Sequence, residues 1–407
     1  MAALDPHLDP HPDLHFDLQR LTPAQLRARR TMKWTTYPDD VLPMWVAEMD
    51  YPLAEPIYRA LHDAVDREMT GYQSQLVMRE YAEAMVEWQA AQARLGGYDW
   101  AVDVADVFTV PDVMKGVDLA IRFFSAPEDP VVIPMPVYMP FFDVVALTRR
   151  PHVPVPMAWD GARHTFDLAA IDAALAAGGR TVLISSPHNP LGRVFTRAEL
   201  AGLAEVVERH GARVISDEIH APLVFDRPHI PYAAVSPAAA GHSITVLSAS
   251  KAWNVPGLKA AQVITSAPGD RERWAAIPYW ERLGMTIFGM QAGIAAYREG
   301  GTWLAAVLET LAAHRTLVAD AVASMPGVRT IANEGTYLQW LDFRELELDE
   351  EPNEWLLREA KVALNPGVPF GAAPHTHARL NFGTTTRLLE QGLEQIAAAV
   401  NARAAGG

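Results

Sequence analysis

The chain has 407 residues, half of them hydrophobic and a fifth charged, a composition that suits a globular protein of two or three domains. Lys and Arg total 34 against 49 Asp and Glu, and the net charge of −15 argues against nucleic acid or an anionic membrane as partner. Cysteine is absent, which excludes disulfides, thiolate metal sites and cysteine nucleophiles.

No basic segment followed by an apolar one opens the sequence, and no apolar stretch reaches about 18 residues, so a soluble, cytoplasmic protein is expected. Residues 1–16 carry His7, His11 and His15 among prolines and aspartates, the pattern of a frayed acidic tail rather than a metal site. Residues 32–34 (MKW) and 42–50 (LPMWVAEMD) are too apolar for a linker, and a domain cleft or a partner subunit is expected to cover them. Two amphipathic helices follow, one with Ile57, Leu61 and Val65 on its inner face, the other with Tyr81, Met85, Trp88 and Leu95. Thr70-Gly71-Tyr72 breaks the chain between them and exposes an aromatic ring.

From about residue 105 the apolar period alternates between strand and helix, as a doubly wound α/β sheet requires. Strands are predicted at 107–110, 131–134, 181–185, 213–216, 244–247 and 261–265. Pro111 suits the first turn of a helix with Val113, Val117, Ala120 and Phe124 inward, and Gly211 suits the stop of a helix over 196–210. After Gly300 come a long helix over 302–324, a strand over 337–343, a helix over 353–364 and a strand over 378–382. The last helix turns Leu389, Leu393, Ile396 and Val400 inward. Helices grouped with few strands suggest a smaller α+β domain.

Four strand ends carry polar residues to one edge, where open α/β sheets bind ligands. Pro111-Asp112-Val113-Met114 offers the amides of a helix start, which suit a phosphate. Asn189 lies in an Asn-Pro turn directly after a strand and can donate to a phenolate oxygen, while His188 beside it is expected at solvent. Asp217 closes the run Val214-Ile215; a buried carboxylate there needs a cation such as a protonated ring nitrogen. Ser248-Ala249-Ser250-Lys251 follows another strand, with Lys259 eight residues on, placing two hydroxyls and a second cation beside an amine.

Asn189, Asp217 and Lys251, separated by 28 and 34 residues, resemble the cofactor-binding series of fold-type I pyridoxal 5'-phosphate (PLP) enzymes. The segments 42–50, Gly71-Tyr72, 217–220 (DEIH), 250–258 (SKAWNVPGL) and 379–383 (RLNFG) narrow the resemblance. They look like the cystathionine β-lyase (C–S lyase) branch of the class I/II aminotransferases, over nearly the whole chain beyond about residue 25.

That resemblance implies a mostly parallel seven-stranded large domain with helices on both faces, over 53–295. It also implies an N-terminal arm within 1–52 and a small α+β domain over 296–407. Lys251 would hold PLP covalently, Asp217 would pair with its ring nitrogen, Asn189 would bond its phenolic oxygen and Tyr138 would stack on the ring. Val113 and Met114 amides, Ser248, Ser250 and Lys259 would hold the phosphate, joined by Tyr72 from the second subunit of a homodimer with shared sites. Arg379 would grip the α-carboxylate of an amino-acid substrate, with Trp45 and Tyr72 on the substrate side.

Three departures stand out. His220 replaces the tyrosine of many aminotransferases, as in the lyases; Lys259 stands where Arg is common; Glu48 stands where the lyases usually have Asp. The implied reaction is β-elimination from L-cystathionine or a related cysteine S-conjugate. Transamination is the alternative, and a non-catalytic regulator a remoter one, since nothing before residue 50 has the length or charge of a DNA-binding domain.

Overall fold

Along Thr181–Ser185 and Arg213–Asp217, successive side chains point to opposite sides, and both sides are apolar. Leu183 and Ile215 enter one core with Val117, Val246 and Val263. Val182, Ile184 and Val214 enter another with Leu200, Leu203 and Val207. Strands buried on both faces belong inside a sheet that helices cover on each side.

The computed structural model describes residues 17–371 and 376–406 and shows that sheet. Its seven strands lie in the order Val107–Val110, Ala261–Thr265, Ser243–Leu247, Arg213–Asp217, Thr181–Ser185, Val131–Met135 and His152–Pro156. All run parallel except Ala261–Thr265, which is antiparallel to both neighbours. The predicted fold class therefore stands. His152–Pro156 escapes the sequence reading because two of its five residues are prolines, which an edge strand tolerates and a central one does not.

Gly116 sets how closely the helix Val113–Phe124 approaches this sheet. A Cβ there would meet Val263 Cγ2 at 3.0 Å and Val246 Cγ1 at 3.1 Å. Its N-cap is Asp112, whose Oδ1 accepts from Lys115 N at 2.8 Å. Pro111 thus precedes the helix instead of opening it.

Toward the C-terminus an antiparallel four-stranded sheet has the order Arg329–Thr330, Leu338–Asp342, His377–Asn381, Asn365–Pro366. The helices Gly301–Ala323 and Thr386–Gly406 accompany it, and Leu389, Leu393, Ile396 and Val400 are buried as expected. Leu42–Pro43 pairs in parallel with Val362–Ala363, so the N-terminal arm is built onto this part of the chain. That pairing corrects the helix predicted over 353–364. It ends at Glu359 and Lys361 takes φ 55°, turning Val362 into the strand.

Two expected core residues are exposed: Val65 by 59% and Leu95 by 81%. Each sits in the last turn of its helix, Glu55–Asp66 and Gln75–Gly96, past the surface against which the helix packs. The tail histidines His7, His11 and His15 lie outside the described residues. Among the described residues no helix is long and apolar enough to cross a membrane, and no cluster of His, Asp and Glu could hold a metal ion.

Candidate active site

Strand register brings the polar residues together. Ser185 lies opposite Asp217, and Asp217 opposite Val246, so three strands end side by side. Asn189 and Lys251 come from the turns that follow. Because Ala261–Thr265 runs the other way, its beginning sits where its neighbours end, which brings Lys259 and Ala260 to the same edge. A cavity of about 210 Å³ opens there, bordered by Val113, Met114, Tyr138, Asn189, Asp217, His220, Ser248, Ser250, Lys251 and Lys259. A larger cleft of about 540 Å³ lies near Arg79 and Asp103, but these charges are solvent-exposed and paired elsewhere. The smaller cavity holds the unusual electrostatics.

Asp217 is buried and accepts one hydrogen bond, from Ile219 N at 3.1 Å. Burial drives its pKa up to about 7, partly opposed by that bond. A carboxylate so enclosed is stabilised by a cation placed against it. Lys251 donates from Nζ to Ala47 O at 2.8 Å. Burial, and then the neighbouring Arg379, lower its pKa to about 8, so a useful fraction of the amine is unprotonated near neutral pH.

Arg379 is buried, and burial pushes its pKa down to about 10. Nη1 donates to Asn189 Oδ1 at 2.9 Å and Nη2 to Trp45 O at 3.0 Å, while Nε has no partner. His220 is buried with Nδ1 unpartnered, and burial holds it neutral. The Tyr138 hydroxyl is also held neutral by burial. At the far wall the first amides of the helix, those of Val113 and Met114, have no acceptor within the helix. Ser248 Oγ accepts from Ser250 N at 3.0 Å, and Lys259 pairs with Asp112 at 3.0 Å. Amides, hydroxyls and a lysine in one corner are the donors that a phosphate requires.

Three expected residues do not border the cavity, and Arg379 connects to it through its bond to Asn189. Tyr72 is 98% exposed. Trp45 turns its indole toward Lys33 O at 3.3 Å and meets the site only through its carbonyl. His188 corrects the expectation of a solvent-facing ring: it is buried, with burial lowering its pKa to about 3.

The sequence reading missed Ala47, whose carbonyl holds Lys251, and Tyr337, whose hydroxyl donates to that same oxygen at 3.0 Å. It also missed the buried pair Lys33–Asp50, 2.7 Å apart, which covers the 42–50 segment from within the chain. A lysine inside an apolar run was the available signal, since it must find a carboxylate.

A doubly wound sheet with a buried lysine, carboxylate and arginine meeting beside a phosphate-type cradle defines a cofactor-dependent enzyme of amino-acid chemistry. The profile of the family described as aminotransferase class I and II matches residues 39–396, and the chain belongs to that family. It is 37% identical to the cystathionine beta-lyase of Corynebacterium glutamicum, over 92% of this chain and 97% of that one. It is 33% identical to the cystathionine beta-lyase PatB of Bacillus subtilis, over 89% and 93% respectively. Among solved structures, cystalysin from Treponema denticola, which contains a pyridoxal 5'-phosphate cofactor, superposes with a TM-score of 0.88. That match has 25% identity and covers 95% of this chain and 99% of cystalysin.

Proposed function

We propose that this protein is a PLP-dependent carbon–sulfur β-lyase that cleaves L-cystathionine or a related cysteine S-conjugate to pyruvate, ammonia and a thiol. The observation that carries the reading is the convergence of Lys251, Asp217 and Asn189 on one cavity, with Arg379 bonded to Asn189. The cystathionine beta-lyases of C. glutamicum and B. subtilis support the choice of reaction. When bound, PLP supplies the electron sink that acidifies an α-proton and lets a β-thiolate leave.

The residues around it divide the work. Lys251 would hold the cofactor through its amine and, once free, would take up the α-proton. Asp217 would pair with the ring nitrogen and keep it cationic. Asn189 and His220 would hold the phenolic oxygen, and Tyr138 would cover the ring. Val113, Met114, Ser248, Ser250 and Lys259 hold the phosphate. Arg379 takes the substrate carboxylate in its planar fork, which a lysine cannot reproduce. The division into an arm within 1–52, a cofactor domain over 53–295 and a small domain over 296–407 goes with this reading, as does a cytoplasmic location.

Products separate elimination from transamination. With L-cystathionine and no added keto acid, pyruvate, ammonia and thiol are expected in equal amounts over many turnovers. Arrest after one turnover, relieved by a keto acid, would make the protein an aminotransferase.

Tyr72, exposed within its own chain, is assigned to the phosphate of a second subunit in a homodimer. A hybrid of Tyr72→Ala and Lys251→Ala subunits then has one site with both native residues and one with neither. Mixing and refolding the two feeble variants is expected to restore activity. Hybrids that form but stay inactive would place Tyr72 in the site of its own subunit or outside the site.

A further inference from the structure

Residues 45–49 belong to no sheet, yet every carbonyl among them accepts from a side chain of a distant part of the chain. Trp45 O takes Arg379, and Val46 O takes Asn381. Glu48 O takes Lys33 and Asn381, and Met49 O takes Asn254. Ala47 O serves two residues that meet at the site, Lys251 Nζ at 2.8 Å and Tyr337 OH at 3.0 Å. A carbonyl oxygen has two lone pairs, and these two donors occupy them.

We propose that Tyr337 is a positioning residue: by sharing the Ala47 carbonyl with Lys251, it sets where the free lysine amine rests and how tightly it keeps its proton. The hydroxyl bonded to one lone pair weakens the oxygen as an acceptor for the ammonium on the other. With Tyr337 in place, the acceptor that would favour the ammonium is half used, so the amine gives up its proton more readily. The arrangement is rigid. Tyr337 is buried, its ring meets His220 edge-on with centroids 6.1 Å apart, and it leads into Leu338–Asp342. That strand pairs Trp340 with Arg379, so the sheet that places the arginine also places the hydroxyl.

The other groups facing Lys251 act at longer range. Arg379 opposes its charge, Glu48 and Asp217 favour it, and His220 is held neutral. None of these side chains bonds the Ala47 oxygen. Tyr337 is therefore the residue whose removal changes the lysine's own hydrogen bond. The consequence for turnover rests on the reading of Lys251 as the cofactor lysine; the effect on the amine does not.

The test uses the full-length chain without cofactor. Lys251 is reductively methylated across a pH series, and the extent is read by peptide mass spectrometry, which gives the midpoint of its titration. Tyr337→Phe keeps the ring and leaves Ala47 O bonded to Lys251, and its midpoint is expected to rise by about 0.5–1 pH unit. Placing 3-fluorotyrosine, a stronger donor of nearly the same size, at position 337 is expected to lower it, which keeps the test open if the phenylalanine variant does not fold. Trp34→Phe loosens the same segment by removing a 2.7 Å bond to Asp50 without touching Ala47. It is expected to lower Tm and leave the midpoint in place. An unmoved midpoint in the position 337 variants, or an equal shift in Trp34→Phe, overturns the proposal. If the midpoints move as expected but no conjugate undergoes elimination, the lyase reading fails and this one stands.

Discussion

Lys251→Ala is expected to reduce pyruvate formation by at least about 10⁴-fold, the upper range for loss of a positioned general base. Two properties of the site converge on this residue. Its amine reaches the cavity that Asp217 and Asn189 also border, and its pKa of about 8 leaves it able both to attack an aldehyde carbon and to accept a proton. No other lysine is buried at this cavity. Lys259 borders the same cavity but is exposed and paired with Asp112, and Lys33 is committed to Asp50. Borohydride treatment of the PLP-loaded protein should therefore fix the label on the peptide containing Lys251. Label on Lys259, or near-normal turnover in Lys251→Ala, would overturn the assignment.

Asp217→Asn is expected to act in opposite directions with and without cofactor. In the cofactor-free protein the folded-state pKa of Asp217 is about 7, raised by burial above an unfolded value of about 3.9. The folded state then binds more protons than the unfolded state between those values, so stability falls as pH rises from about 4 through about 7. Above that window the buried charge costs on the order of 4 kcal/mol. Asparagine removes the charge but buries an amide with few partners, at a cost of about 1–3 kcal/mol.

The cofactor-free variant is thus expected to be more stable than wild type at pH 8, by about 1–3 kcal/mol in denaturant unfolding, and less stable near pH 4, where Asp217 is protonated and only the amide cost of about 1–3 kcal/mol remains. Loading reverses the sign. A cationic ring nitrogen placed against Asp217 would stabilise the carboxylate, and losing one member of such a pair costs about 3–5 kcal/mol. The variant should therefore retain PLP poorly and turn over slowly. Equal stability at pH 8, or normal retention and turnover, would remove Asp217 from the role assigned to it.

The residues legible in the sequence are those whose signal is local. Asn189, Asp217 and Lys251 each follow a short apolar run by a few positions. A strand end is where a chain leaves the core and can offer a polar group to a ligand. The strands themselves were legible for the same reason, since burial on both faces leaves an uninterrupted apolar run. His152–Pro156 was not, because an edge strand needs only one packed face and tolerates proline.

What only the tertiary structure decided is which distant groups meet. Lys251 rests on a carbonyl 204 positions away, Tyr337 reaches that oxygen across 290, and Arg379 bonds Asn189 across 190. A backbone carbonyl is identical at every residue, so no side-chain pattern marks Ala47 as the acceptor. The burial of His188 was equally hidden. Burial depends on what the rest of the chain packs over a residue, and residue type alone does not carry that information.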